Sequence, residues 1–70
     1  MKVFEMNKEM MTLSQFLKAN DYINSGGEAK YFLADFVVLV NDLETDQRGK
    51  KLYPNDLVTV VNDRYILKYD

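Results

Sequence analysis

A chain of 70 residues has room for one small core, and this one has no cysteine and no histidine, which excludes a disulfide framework and a thiolate zinc site and removes the usual general base. Its 9 Lys and Arg against 11 Asp and Glu give a net charge of -2, which in bulk argues mildly against nucleic acid. The longest aliphatic run, Val37–Val40, is far below the roughly 20 apolar residues of a membrane helix, and Met1-Lys2-Val3 opens no secretory core, so a cytoplasmic protein is expected.

Met1 to Met6 alternates weakly, as a short strand with Val3 on one face and Phe4 and Met6 on the other. Thr12-Leu13-Ser14-Gln15 is a capping-box pattern, and Leu13, Phe16, Leu17 and Asn20 keep the i, i+3, i+4, i+7 spacing of one stripe, which predicts a first helix over Leu13–Ala19. Lys18 falls outside that stripe and is solvated. Asn20 to Asn24 connects, with Tyr22 and Ile23 apolar enough to tuck beneath the helices.

Ser25-Gly26-Gly27-Glu28-Ala29-Lys30 reads as the start of a second helix that runs to about Asp35. Ser25 can cap the amide three residues on while Glu28 reaches back, a second capping box. Two readings stay open. Gly26 and Gly27 either serve a tight turn between helices, or let a phosphate approach a helix start whose charge Lys30 supplies. Ala29, Phe32, Leu33 and Phe36 form the stripe facing the core, which turns Tyr31 outward beside Lys30. Tyr31 then either packs on the N-terminal segment or stacks on a base.

Val37–Val40 is strand-like, Asn41-Asp42 is a two-residue turn, and Leu43-Glu44-Thr45 returns as a hairpin. Gln47 to Lys51 is a polar loop with Arg48, Lys50 and Lys51, immediately after the acidic Asp42, Glu44 and Asp46. Leu52-Tyr53 is expected to re-enter the core, and Pro54-Asn55-Asp56 turns into a strand over Leu57–Val61. Asn62-Asp63 is the expected last turn, before Tyr65, Leu67 and Tyr69 alternate with Ile66 and Lys68 in a second hairpin. The shared core is expected to contain Phe16, Leu17, Phe32, Leu33, Val38 and Val40.

No catalytic set assembles from these residues. Asp42, Glu44 and Asp46 imitate the start of a calcium loop, but Gln47 stands where glycine is needed and Tyr53 where a bidentate glutamate is needed. Ser14 and Ser25 have no histidine to activate them, and carboxylates at a solvated turn have no cleft to raise a pKa. What remains is a helix start with Lys30 and Tyr31, an outward Lys18 and a basic loop, which on one face would suit a nucleic-acid backbone.

Thr12-Leu13-Ser14-Gln15-Phe16-Leu17-Lys18, Ser25-Gly26-Gly27-Glu28-Ala29-Lys30, Val38-Leu39-Val40-Asn41 and Arg48-Gly49-Lys50-Lys51-Leu52, closed by Asp56, resemble the RNA-binding domain named after ribosomal protein S-four. More narrowly, the chain is similar to the small stand-alone YaaA-like members of that superfamily. The resemblance covers about Lys8 to Val60, and the order and spacing of four motifs make it more specific than any one of them. It implies an α+β fold, two helices packed on a small, mostly antiparallel sheet of hairpins (the αL RNA-binding motif), as a single domain over residues 1–70 with its core at about 8–60. It further implies RNA along the second helix and the basic loop, which with the flanking and stacking readings above gives Lys18, Ser25, Gly26, Gly27, Lys30, Tyr31, Arg48, Lys50 and Lys51 as RNA-facing residues. Asp42 and Asn55 stand where relatives usually have glycine, and Gln47 where a second arginine often precedes the Arg-Gly pair. Turns tolerate Asn and Asp. The expectation is therefore a non-enzymatic, monomeric RNA-binding module without cofactor or metal, for structured ribosomal or transfer RNA and associated with the ribosome. The rival reading is a protein-interaction domain that uses the same helix face.

Overall fold

The computed structural model describes residues 1–70. In chain order it contains β1 (Lys2–Glu5), β2 (Met11–Thr12), α1 (Leu13–Ala19), a 3₁₀ turn (Gly26–Glu28), α2 (Ala29–Asp35), β3 (Val38–Val40), β4 (Leu43–Glu44), β5 (Lys51–Leu52), β6 (Leu57–Val60) and β7 (Asp63–Lys68). Five strands form one sheet in the order β1-β7-β6-β3-β4, antiparallel except for β1 against β7, while β2 and β5 pair separately. This is the α+β arrangement of two helices on a mostly antiparallel sheet that the family resemblance implies.

α1 forms where its cap and stripe place it. Thr12 Oγ1 accepts from the Gln15 amide at 3.3 Å, and Gln15 Oε1 accepts from the Thr12 amide at 2.9 Å, so two orphan donors are satisfied reciprocally. Leu13, Phe16 and Leu17 are fully buried and Lys18 is exposed. The helix ends in a Schellman motif. The Tyr22 amide donates to the Leu17 carbonyl at 3.0 Å and the Asp21 amide to Lys18 at 3.1 Å, with Asp21 left-handed at φ 65°. That reversal turns Tyr22 and the buried Ile23 back under the helices.

The second capping box does not form. Gly26–Glu28 is a 3₁₀ turn in which the Glu28 amide donates to the Ser25 carbonyl at 3.1 Å. The tighter i to i+3 ring claims that amide for the backbone, and the Ser25 hydroxyl donates instead to Glu28 Oε2 at 3.4 Å. In α2, Ala29 and Leu33 are buried and Phe32 partly so. Phe36 leaves the expected stripe: the helix stops at Asp35, Phe36 is extended at φ -128°, ψ 145°, and it is 48% exposed.

Hairpin β3–β4 pairs Val40 with Leu43 across Asn41-Asp42, whose φ values of 52° and 68° are those of a type I′ turn. Hairpin β6–β7 turns one residue earlier than expected, at Val61-Asn62, with Val60 opposite Asp63. The register is held at its far end, where the Asn55 amide donates to the Leu67 carbonyl at 2.7 Å and the Leu67 amide to Asp56 at 3.0 Å. Tyr53 does not re-enter the core. Only Leu52 is buried on β5, while Tyr53 is 49% exposed, because its amide is drawn to Asp56 Oδ2 at 2.8 Å to close the Pro54-Asn55 turn.

Phe16, Leu17, Leu33, Val38 and Val40 lie in one buried cluster with Phe32 packed against it. An aromatic run ties the layers together: Phe4 to Phe16 at 5.1 Å, Phe16 to Tyr65 at 5.1 Å, Tyr65 to Tyr22 at 6.5 Å and Tyr22 to Phe32 at 5.6 Å. Most of these contacts are edge-on, the geometry that the ring quadrupoles favour.

Candidate nucleic-acid interface

The basic loop is pinned to the start of α1. Lys50 donates its amide to the Gln47 carbonyl at 3.0 Å and closes a turn, and the carbonyls of Lys50 and Arg48 accept from the amides of Leu13 at 2.8 Å and Ser14 at 2.9 Å. A helix start leaves donors without intrahelical partners, and here the loop backbone satisfies two of them while its side chains stay in solvent. Lys51 continues into β5 opposite Thr12. Arg48, Lys50 and Lys51 are all exposed and none is ion-paired, since the one salt bridge in the structure joins Lys2 to Asp63 at 3.5 Å.

The second segment starts α2. Ser25, Gly26 and Gly27 are exposed, and the Gly26 and Gly27 amides donate to no protein acceptor. Lys30 Nζ lies 5.2 Å from the centroid of the Tyr31 ring, and Tyr31 is 65% exposed, so most of its surface faces solvent. The 3₁₀ turn packs against α1, so one helix holds both segments, and Lys18 projects from its last turn. Each expected site residue is thus solvent-facing.

Glycine here answers no internal demand. None of Gly26, Gly27 and Gly49 has positive φ, and a Cβ at any of them would meet nothing within 4 Å. The left-handed positions of the Asn41-Asp42 and Pro54-Asn55 turns are instead taken by Asn41 at φ 52°, Asp42 at φ 68° and Asn55 at φ 75°.

Asn41 and Asp56 make a lock whose geometry sequence spacing does not convey. Asn41 Nδ2 donates to Asp56 Oδ1 at 3.1 Å, and Asn41 Oδ1 accepts from the Leu57 amide at 3.0 Å, so the two turns are hydrogen-bonded to each other. No group of three or more His, Cys, Asp or Glu side chains is placed to hold a metal ion. No helix is long and apolar enough to cross a membrane.

The S4 domain family model matches residues 4–68. The chain belongs to the S4 domain family. A curated member from Bacillus subtilis (strain 168), the probable ribosome maturation protein RlbA, is 53% identical over 55 residues, which cover 79% of this chain and 78% of that protein. No solved structure matches. The left-handed φ at Asp42 and Asn55 is a conformation that glycine adopts without strain, in keeping with the glycines that the resemblance implies at these two positions.

Proposed function

We propose that this S4 chain is a non-enzymatic, single-domain RNA-binding module that acts in the cytoplasm as a monomer on structured RNA, ribosomal RNA before transfer RNA. Lys18, Ser25, Gly26, Gly27, Lys30, Tyr31, Arg48, Lys50 and Lys51 form its RNA side. The observation that carries this is the loop itself: three exposed, unpaired cations on a backbone held by α1. Cations so placed neutralise phosphates without rearrangement, and shape plus phosphate contact is the usual mode for structured RNA. The name of the Bacillus relative supports the ribosome as the place of action.

A second reading has its own observation. Phe36, Val37 and Val61 are 48%, 54% and 51% exposed and sit together where the Val61 amide donates to the Val37 carbonyl at 3.1 Å, an apolar patch that suits a protein partner. Salt separates the two. With each neutralised phosphate contributing roughly -0.7 to -0.9 to the slope of log K against log salt, three contacts give about -2 to -3. Changing Lys50 and Lys51 together to alanine should flatten the slope by about 1.4 to 1.8 and weaken all RNAs alike. Unaltered affinity and slope in that double mutant would remove the loop from the RNA side, and binding of RNA that is absent or indifferent to salt would make the protein reading at the apolar patch the better one.

A further inference from the structure

Glu44 and Lys50 line one groove of about 240 Å³ between hairpin β3–β4 and the basic loop, together with Val40, Leu43, Thr45 and Gln47. That is less than the roughly 300 to 1,000 Å³ of sites for drug-sized ligands, and suits a single ring system. The two opposite charges do not pair with each other. A bare carboxylate next to a phosphate-binding lysine repels the RNA backbone, so its place there is unfavourable unless it accepts hydrogen bonds from the ligand.

We infer that this groove takes one unpaired guanine of the bound RNA, with Glu44 accepting from its Watson–Crick edge and Lys50 on the adjoining phosphate; the inference rests on the RNA reading above. A carboxylate offers two acceptor oxygens, and guanine presents two donors side by side, N1–H and the N2 amino group. Adenine and cytosine set one amino donor beside a ring-nitrogen acceptor, and uracil flanks one N–H with two carbonyls, so each faces the carboxylate with a repelling lone pair. The guanine must be unpaired, since its pairing edge is in use, and splayed single-stranded bases are what sequence-specific RNA readers take. Val40, 5% exposed, and Leu43, 75% exposed, supply an apolar surface for the base. The walls are preset. The Thr45 amide donates to the Val38 carbonyl at 3.0 Å, Thr45 Oγ1 accepts from the Gln47 amide at 3.2 Å, and Lys50 is held through its carbonyl by Leu13.

The test is fluorescence anisotropy with RNA stem–loops that differ only in one nucleotide of a uridine loop, carrying G, inosine, A, C or U. The wild-type chain should bind the G loop about tenfold more tightly than the A, C and U loops, with inosine, which lacks the N2 amino group, in between. Glu44→Gln should erase the preference while binding the other loops as well as before or better, because a negative charge has gone. Asp46→Asn, the same charge change outside the groove lining, should retain it. Equal binding of all loops with an ordinary salt slope, or a guanine preference that survives Glu44→Gln, overturns the groove and leaves the RNA reading standing. Failure to bind any loop at low salt overturns both.

Discussion

The hydroxyl of Tyr22 lies 2.6 Å from that of Tyr65 and donates to Asp63 Oδ2 at 2.9 Å. With its proton committed to Asp63, Tyr22 accepts from Tyr65, and Asp63 in turn pairs with Lys2 at 3.5 Å. The connector between the helices is thereby fastened to β7 and β1. Tyr22→Phe should cost about 1 to 3 kcal/mol, because the Tyr65 hydroxyl, on a residue 6% exposed, loses its partner. An unchanged urea midpoint would show that this hydroxyl chain is idle.

The same cluster sets an alkaline limit. Burial pushes the Tyr22 phenol far above its ordinary range, and the hydrogen bonds to Tyr65 and Asp63 push it the same way. A pKa raised in the folded state means that the unfolded chain releases its proton first, so the stability from this group is complete below about pH 10 and is lost as pH rises above it. Stability against urea should fall more steeply above pH 10 in the wild type than in Tyr22→Phe. Parallel pH profiles would remove Tyr22 as the cause.

Val61 is a β-branched residue at φ 57° and 51% exposed, a conformation that such side chains resist. Val61→Gly should therefore stabilise by about 1 kcal/mol. Asp42→Gly and Asn55→Gly should gain less, because Asp and Asn visit this region readily and Asn55 Oδ1 also accepts from Lys68 Nζ at 3.1 Å. Thermal melts should rank the three in that order, and a destabilised Val61→Gly would mean that packing of this valine outweighs its strain.

Leu33 and Phe36 lie one turn apart but on different sides of the solvent boundary. Leu33, 7% exposed, should cost about 2 to 5 kcal/mol as alanine. Phe36 is half-exposed and stacks its ring on Phe32, at 4.7 Å between centroids, and its alanine variant should cost roughly 0.5 to 1.5 kcal/mol. Equal losses in denaturant would place Phe36 in the core after all.

The parts legible in the sequence are those whose signal is local. Thr12 and Gln15 announce the start of α1, and Asn41-Asp42 between aliphatic runs announces the type I′ hairpin. Asn62-Asp63 looks equally like a turn, yet Asp63 is held by Tyr22 from 41 positions away, and no local pattern reports that. Ser25 and Glu28 satisfy the capping-box pattern too, but the pattern does not distinguish an α-helical first turn from a 3₁₀ one. The parallel partner of β1 and the two-residue β2–β5 pair are long-range choices of short segments, for which alternation names no partner. For the candidate site, the cations of the loop stand out as a charge run. The pinning of that loop by Leu13 and Ser14, and the groove shared by Glu44 and Lys50, need elements brought together from separate parts of the chain.

Gly27 and Gly49 offer the sharpest separation of folding from binding. Glycine normally earns its place through positive φ or tight internal space, and neither position has either. Gly49 is the third residue of the turn that the Lys50 amide closes on Gln47, and its φ is not positive, so this turn accepts an alanine there. Alanine at either site should stabilise the fold by about 0.4 to 1 kcal/mol, mainly by restricting the unfolded chain. If RNA approaches the backbone closely at these points, the added methyl should also weaken binding several-fold, with the salt slope unchanged because no cation has been lost. Higher melting temperature with lower RNA affinity is therefore the expected pairing for Gly27→Ala and for Gly49→Ala. A variant that melts higher and binds RNA as before would place that glycine outside the RNA contact, and if both behave so, the RNA side is carried by the cations without close backbone approach.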